Sequence, residues 1–100
     1  MSAKSRSYKL LPKARQDLDV NWRYTFETWS LQQANTYYNE SIGCFPDLAA
    51  GTTRGRKIGG IRPDYLALAH GSHFIVYKDG AQTVTIIRIL HRRMNVGAHL

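Results

Sequence analysis

Acid and sulfur are what this chain has least of. Seven Asp and Glu stand against fourteen Lys and Arg, giving a formal net charge of +7 over 100 residues. Cys44 is the single cysteine. It excludes an internal disulfide, which fits a reducing cytoplasm. It lies in an apolar stretch with no adjacent base, which argues against a catalytic thiol. No apolar run approaches the length that crosses a membrane. The opening residues Ser2, Lys4, Ser5, Arg6 and Ser7 include no apolar core of a secretory signal. Four histidines and one cysteine offer little for zinc, which wants three or four convergent ligands, so neither metal nor cofactor is expected. The glycines of Gly51–Gly60 are not spaced as a phosphate-binding loop and no strand directly precedes them. There are no internal repeats and no low-complexity tract.

What is there is positive charge, unevenly spread. Residues 1–50 hold six Lys/Arg against five Asp/Glu, whereas residues 51–100 hold eight against two. A second half at +6 favours an acidic partner, either nucleic acid or a negatively charged protein segment. With 43% of residues hydrophobic, the chain is rich enough for one small core, hence one domain spanning 1–100. Residues 1–7 are expected to be flexible.

The element signals come in a definite order. Tyr8–Leu11 reads as a short strand, and Pro12 opens a helix as proline can at a first helical position. Ala14, Leu18, Trp22 and Phe26 recur every fourth residue on one apolar face. That places Trp22 in the core, where its truncation would cost roughly 3–5 kcal/mol. Ser30 is a good N-cap for a second helix, with Leu31, Ala34, Tyr38, Ile42 and Phe45 on its buried side. Pro46 lacks a backbone donor and is expected to kink or end that helix near Cys44, with a fresh turn over residues 47–50. After the basic loop come strands over Tyr65–Ala69, His73–Lys78 and Thr83–Leu90. Gly71 is placed for a type II′ hairpin, and Asp79-Gly80 for a second turn. The order β-αα-βββ implies an α+β fold, a helical hairpin packed on one face of a small, mostly antiparallel sheet.

The final strand carries the chemistry. Strict alternation puts Val84, Ile86, Arg88 and Leu90 on one face and Thr85, Ile87, Ile89 and His91 on the other. If the helices cover the Ile87 and Ile89 face, Arg88 enters an uncovered apolar trough beside Ile86 and Leu90. Such a trough suits a peptide with apolar anchors and a carboxylate. The alternative is that Arg88 pairs with Asp64 or Glu40 and braces the fold. His91, Arg92, Arg93 and Met94 follow as a basic end. The aromatics Trp22, Tyr24, Trp29, Tyr37 and Tyr38 crowd the first half while the charge excess lies in the second. That separation speaks against base stacking, which interleaves the two on one surface.

The ordered series Tyr8, Leu10, Ala14-x-x-Asp17-Leu18, Trp22-x-Tyr24-Thr25, Trp29, Gln33-Ala34 and Tyr37 resembles the ParE branch of the RelE/ParE superfamily of bacterial toxins. The likeness continues through Ile61-Arg62-Pro63, Gly71-x-His73-x-Ile75-x-Tyr77, Arg88-Ile89-Leu90-His91-x-Arg93-Met94 and His99-Leu100. It implies a toxin of a type II toxin–antitoxin module. The expected partner is a cognate antitoxin whose acidic C-terminal segment wraps the toxin in a hetero-oligomer. The expected target is DNA gyrase, poisoned by binding rather than catalysis, with replication blocked. On that reading Arg62, Arg88, His91, Arg92, Arg93 and Met94 meet the target, and Arg62, Tyr38, Ile86, Arg88 and Leu90 meet the antitoxin. The related RelE toxins cut mRNA on the ribosome and usually use a late tyrosine. This chain has none after Tyr77, only His91 and His99. In the nuclease alternative His91 would move the proton and Arg88, Arg92 and Arg93 would hold the phosphate. Gly43 and Pro46 depart from the family, which usually continues its second helix there.

Overall fold

The computed structural model describes residues 6–100. Residues 1–5 of the stretch expected to be flexible lie outside them, but Arg6 and Ser7 are tied down. Ser7 opens strand β1 (Ser7–Leu10). Arg6 donates from Nε to Ala49 O and from Nη2 to Leu48 O, both at 2.9 Å. It also pairs with Asp79. A guanidinium thus satisfies carbonyls at the end of the second helix, where orphan acceptors and the negative end of the helix dipole both favour a cation.

Helix α1 (Pro12–Thr28) begins at the proline, and α2 (Leu31–Ala50) follows after a two-residue turn. The Ser30 side chain accepts from Gln33 N at 3.0 Å, the N-cap bond that orders the turn. Pro46 neither kinks nor ends α2 near Cys44. The helix runs on to Ala50 and closes on Gly51, whose φ of 81° is the left-handed cap conformation. Phe45, Leu48 and Ala49 around the proline are all buried in the core. Tertiary packing and the Arg6 clamp outweigh one missing backbone donor.

Strands β2 (Tyr65–His70), β3 (His73–Asp79) and β4 (Thr83–His91) form antiparallel pairs. β1 joins β4 in parallel, so the strand order is β1-β4-β3-β2. Gly71 has a φ of 55° and Ser72 a negative φ, the pattern of a II′ turn. Both helices lie on one face of the sheet. Ala14, Leu18, Phe45 and Leu48 meet Leu66, Ile75, Tyr77, Val84, Ile86 and Ile89 there.

The strict alternation expected for β4 fails at a β-bulge. Val76 pairs with Arg88 but Tyr77 pairs with Ile86, leaving Ile87 as the extra residue. A bulge shifts the two-residue period by one. Ile86 and Ile89 therefore both face the helices, and Leu90 faces away. The far face is no open trough either. Ala67, Val76 and Leu90 are buried there beneath Val96 of a C-terminal 3₁₀ turn (Val96–His99), with Ile58 and Ile61 packed alongside.

Arg88 does brace the fold, though with neither Asp64 nor Glu40. Its Nε and Nη2 donate to the two oxygens of Asp17 on α1 at 2.7 and 2.9 Å. The same carboxylate accepts from Ile89 N at 2.9 Å, supplying an acceptor beside the disrupted ladder. Arg88 Nη1 donates to His99 O, tying the C-terminal turn to the same post.

Trp22 is not core. Ala14 and Leu18 are buried, but each four-residue step overshoots a 3.6-residue turn by about 40°, so by Trp22 the face has rotated toward α2. The indole is half-buried, stacks on exposed Phe26 with centroids 5.3 Å apart, and donates to Asn35 Oδ1 at 2.9 Å. No described helix is long and apolar enough to cross a membrane.

Candidate functional site

The helical hairpin overhangs the sheet at the end where β2 turns into β3 and β4 finishes. Pairing puts His70, His73 and His91 side by side across three strands. An open cleft of about 730 Å³ lies between this edge and the α1–α2 turn. One wall comes from the helices, with Tyr24, Thr25, Trp29, Gln33 and Tyr37. The other comes from the strand ends, with Gly71, Ser72, His73, His91, Arg92 and Arg93. Thr25, Trp29, Gln33 and Tyr37 recur every four residues straight through the interhelical turn.

Tyr37 holds the cleft floor. Its hydroxyl donates to His70 O at 2.9 Å and accepts from Ser72 N at 3.2 Å. His73 Nδ1 lies 2.7 Å from the same oxygen. With the single phenolic proton already placed, that nitrogen is the donor. Three bonds to one oxygen lock the hairpin turn against α2. A Cβ on Gly71 would lie only 2.6 Å from the Tyr37 ring, so the turn seats on that ring only because the residue is glycine. Burial pushes the Tyr37 phenol above its ordinary pKa. His73 is 7% exposed. Burial, then repulsion from His91 and His70, lowers its pKa to about 4, so it is neutral at physiological pH. His91 packs edge-on to His73, and its Nδ1 accepts from Arg93 N at 3.1 Å.

The cations are displayed rather than consumed. The Arg92 guanidinium sits over the Phe74 ring at 5.4 Å from the centroid and leans toward Gly71 O at 3.4 Å. The Arg93 side chain has no acidic partner among the described residues. No acid lines the cleft. Trp29 and Tyr24 are 68% and 62% exposed at its mouth.

Of the residues marked in the sequence for the target, the fold gathers His91, Arg92 and Arg93, with exposed Met94 beside them. Arg88 is committed to Asp17. Arg62 is exposed over the Tyr65 ring, at the start of β2 and the opposite end of the sheet from His91. Of those marked for an antitoxin, Ile86 and Leu90 are 0% and 2% exposed and present no surface, because the helices cover the first and the C-terminal turn the second. Tyr38 is half-buried on α2, lining a shallow depression with Trp22, Arg23 and Asn35. Nothing in the linear order joins Trp29, Tyr24, Gln33 and Tyr37 to the basic end. The four-residue spacing that runs from Thr25 to Tyr37 is the available signal.

Among the described residues no three His, Cys, Asp or Glu side chains group so as to hold a metal ion. Cys44 donates to Glu40 O, and burial pushes its thiol up, away from the reactive thiolate.

Comparison with known proteins identifies the family and the fold. Residues 8–96 match the family model described as ParE toxin of type II toxin-antitoxin system, parDE. Toxin ParE1 of Mycobacterium tuberculosis is 36% identical over 97 residues, covering 96% of this chain and 99% of that protein. Toxin ParE1 of Caulobacter vibrioides is 36% identical over 95 residues, covering 95% and 98%. A solved structure titled "Chromosomal ParDE TA system from P. aeruginosa" superposes with a TM-score of 0.76 at 18% identity. It covers 89% of this chain and 98% of that one, a likeness of fold.

Proposed function

The chain belongs to the ParE toxin family of type II toxin–antitoxin systems, and on that premise we propose that it arrests growth by binding DNA gyrase on cleaved DNA. The observation that carries this reading is the open, acid-free cleft with Arg92, Arg93 and His91 on one wall and exposed Trp29 and Tyr24 on the other. A poison needs a surface that binds one state of its target better than another. Displayed cations and aromatics suit that task, because Trp, Tyr and Arg anchor interfaces.

Most of the groups that would do acid–base chemistry are tied into structure. Tyr37 is fixed by three hydrogen bonds, His73 is buried and neutral, and His91 Nδ1 takes a backbone proton donor. This supports binding over the RelE-type nuclease reading. A cognate antitoxin with an acidic C-terminal segment neutralises the chain. The +6 half draws that segment in. Exposed Val20, Phe26 and Leu31 on the helical hairpin, with half-buried Tyr38, supply apolar anchor points. Arg62 offers a carboxylate a second contact.

The test is expression with and without the neighbouring reading frame. DNA cleavage by purified gyrase is measured beside mRNA integrity on translating ribosomes. Trapped cleaved DNA with intact mRNA is the expected result. Cut mRNA with undisturbed gyrase would overturn it, and a chain that ignores its operon neighbour would remove the antitoxin.

A further inference from the structure

The fold undoes the separation of aromatics and charges seen in the sequence. Trp29 and Tyr24 come from the near-neutral half, Arg92 and Arg93 from the +6 half, and the cleft sets them on facing walls. Aromatic faces beside a basic track are how proteins hold unpaired nucleotides. Every base has a π-face to stack, and every nucleotide brings a phosphate. Here the ring with most surface free is that of Trp29, 68% exposed. That leaves most of a large apolar ring open to a stacking partner. Arg92 is pre-positioned by Phe74, so little freedom is lost when it takes a phosphate oxygen. No carboxylate in the cleft repels a phosphate, and Gln33 offers both a donor and an acceptor to a base edge. The volume of about 730 Å³ is in the range of ligand sites.

We propose that this cleft binds an unpaired nucleotide of a nucleic-acid strand, its base stacked on Trp29 with Tyr24 beside it, and its phosphates held by Arg92 and Arg93. Duplex is the wrong occupant, because paired and stacked bases have no free face to offer the ring. A purely acidic peptide, with no apolar side chain to pack on the ring, would use the arginines and leave the indole idle. The inference deepens the gyrase reading and rests on it for biological meaning: the toxin would hold a frayed strand of the cleaved DNA. The chemistry of the cleft stands apart from which enzyme presents that strand.

Binding is read on the purified chain carrying Trp22→Phe, which leaves Trp29 as the single fluorescent indole. Titration with a short oligo(dT) or oligo(rU) is expected to quench it. The affinity should fall with salt at a log–log slope of about −1.4, two phosphates at roughly −0.7 each. Trp29→Ala, followed in the same variants by oligonucleotide anisotropy, should weaken binding about tenfold or more. Arg92→Ala with Arg93→Ala should flatten the slope. Tighter binding of oligo(dT) would assign the strand to DNA, and tighter oligo(rU) to RNA. Both support the site. Absence of quenching, indifference to Trp29→Ala, or equal binding of poly-glutamate would each overturn it. An oligonucleotide bound by a chain that leaves gyrase untouched would sink the gyrase reading alone. Gyrase trapped equally by the Trp29→Ala chain would overturn the use of this cleft in gyrase poisoning and leave the gyrase reading standing.

Discussion

Asp17 is the residue on which most of the β4 geometry rests. It holds Arg88 in a two-point pair, both side chains under a fifth exposed, and it also receives Ile89 N beside the bulge. Asp17→Ala would leave a guanidinium and an amide without their acceptor. Removing one member of a buried pair is far more costly than the pair's net worth. Denaturant melts should show a loss of roughly 3 kcal/mol, at the low end for such pairs. His73 makes a second prediction, in pH. Folding lowers its pKa from 6.5 to about 4. Between those values the unfolded chain takes up a proton that the folded chain refuses. The contribution is therefore fully present above about pH 6.5, is lost as pH falls toward about 4, and amounts to as much as roughly 3 kcal/mol. Urea melts from neutral pH down toward the folded-state value should show this slope, and His73→Gln should flatten it. Asp79 acts near the same acid range: burial pushes its carboxyl up, but hydrogen bonds from Arg6 and Arg54 outweigh that and hold it below the usual value. Its stabilisation persists through that pH range and fails only at lower pH.

Elements show where sequence patterns are reliable. The Pro12 start, the Ser30 cap, the Gly71 turn and the order of four strands about two helices were all legible, because each is set by a residue's own backbone preferences or by periodicity. The bulge at Ile87 was not. Nothing local marks it; it exists because β3 and β4 must both satisfy the core and present Arg88 to α1. Continuation of α2 through Pro46 was hidden for the same reason, since burial of Phe45 and Leu48 decides it. Trp22 shows periodicity exceeding its reach. A strict four-residue repeat drifts around a helix of about 3.6 residues per turn, so its later members leave the face that meets the sheet. Trp22→Ala should therefore cost only about 2 kcal/mol, the mid-range sum of one aromatic pair and one hydrogen bond. A loss near the roughly 3–5 kcal/mol of a buried indole, measured by denaturant melts, would mean that the hairpin tip is covered in solution.

At the scale of the molecule, the arginines that brace the fold and those of the proposed binding surface occupy different regions. Arg6 and Arg88 are engaged in ion pairs that hold helices to sheet. Arg92 and Arg93 are exposed at the far end of β4, and their side chains pair with no acid among the described residues. The sequence marked both kinds of arginine equally, since linear order does not say which cation meets a carboxylate. The cleft itself was illegible, because its two walls come from opposite halves of the chain. The division predicts a separation of function. Arg92→Ala with Arg93→Ala should change stability by about 1 kcal/mol at most, chiefly through the lost contact of Arg92 with Phe74. Antitoxin capture through Val20, Phe26 and Leu31 on the outer helical surface should survive, because those side chains lie off the cleft walls. Toxicity should collapse, because clustered charges govern association with a charged target even where each contributes little to folding. Growth on induction, co-purification with the antitoxin and a thermal melt of the same double variant check all three. A variant that stays toxic would place target binding elsewhere on the surface. One that loses the antitoxin as well would mean that both partners compete for the cleft, so that neutralisation works by filling it.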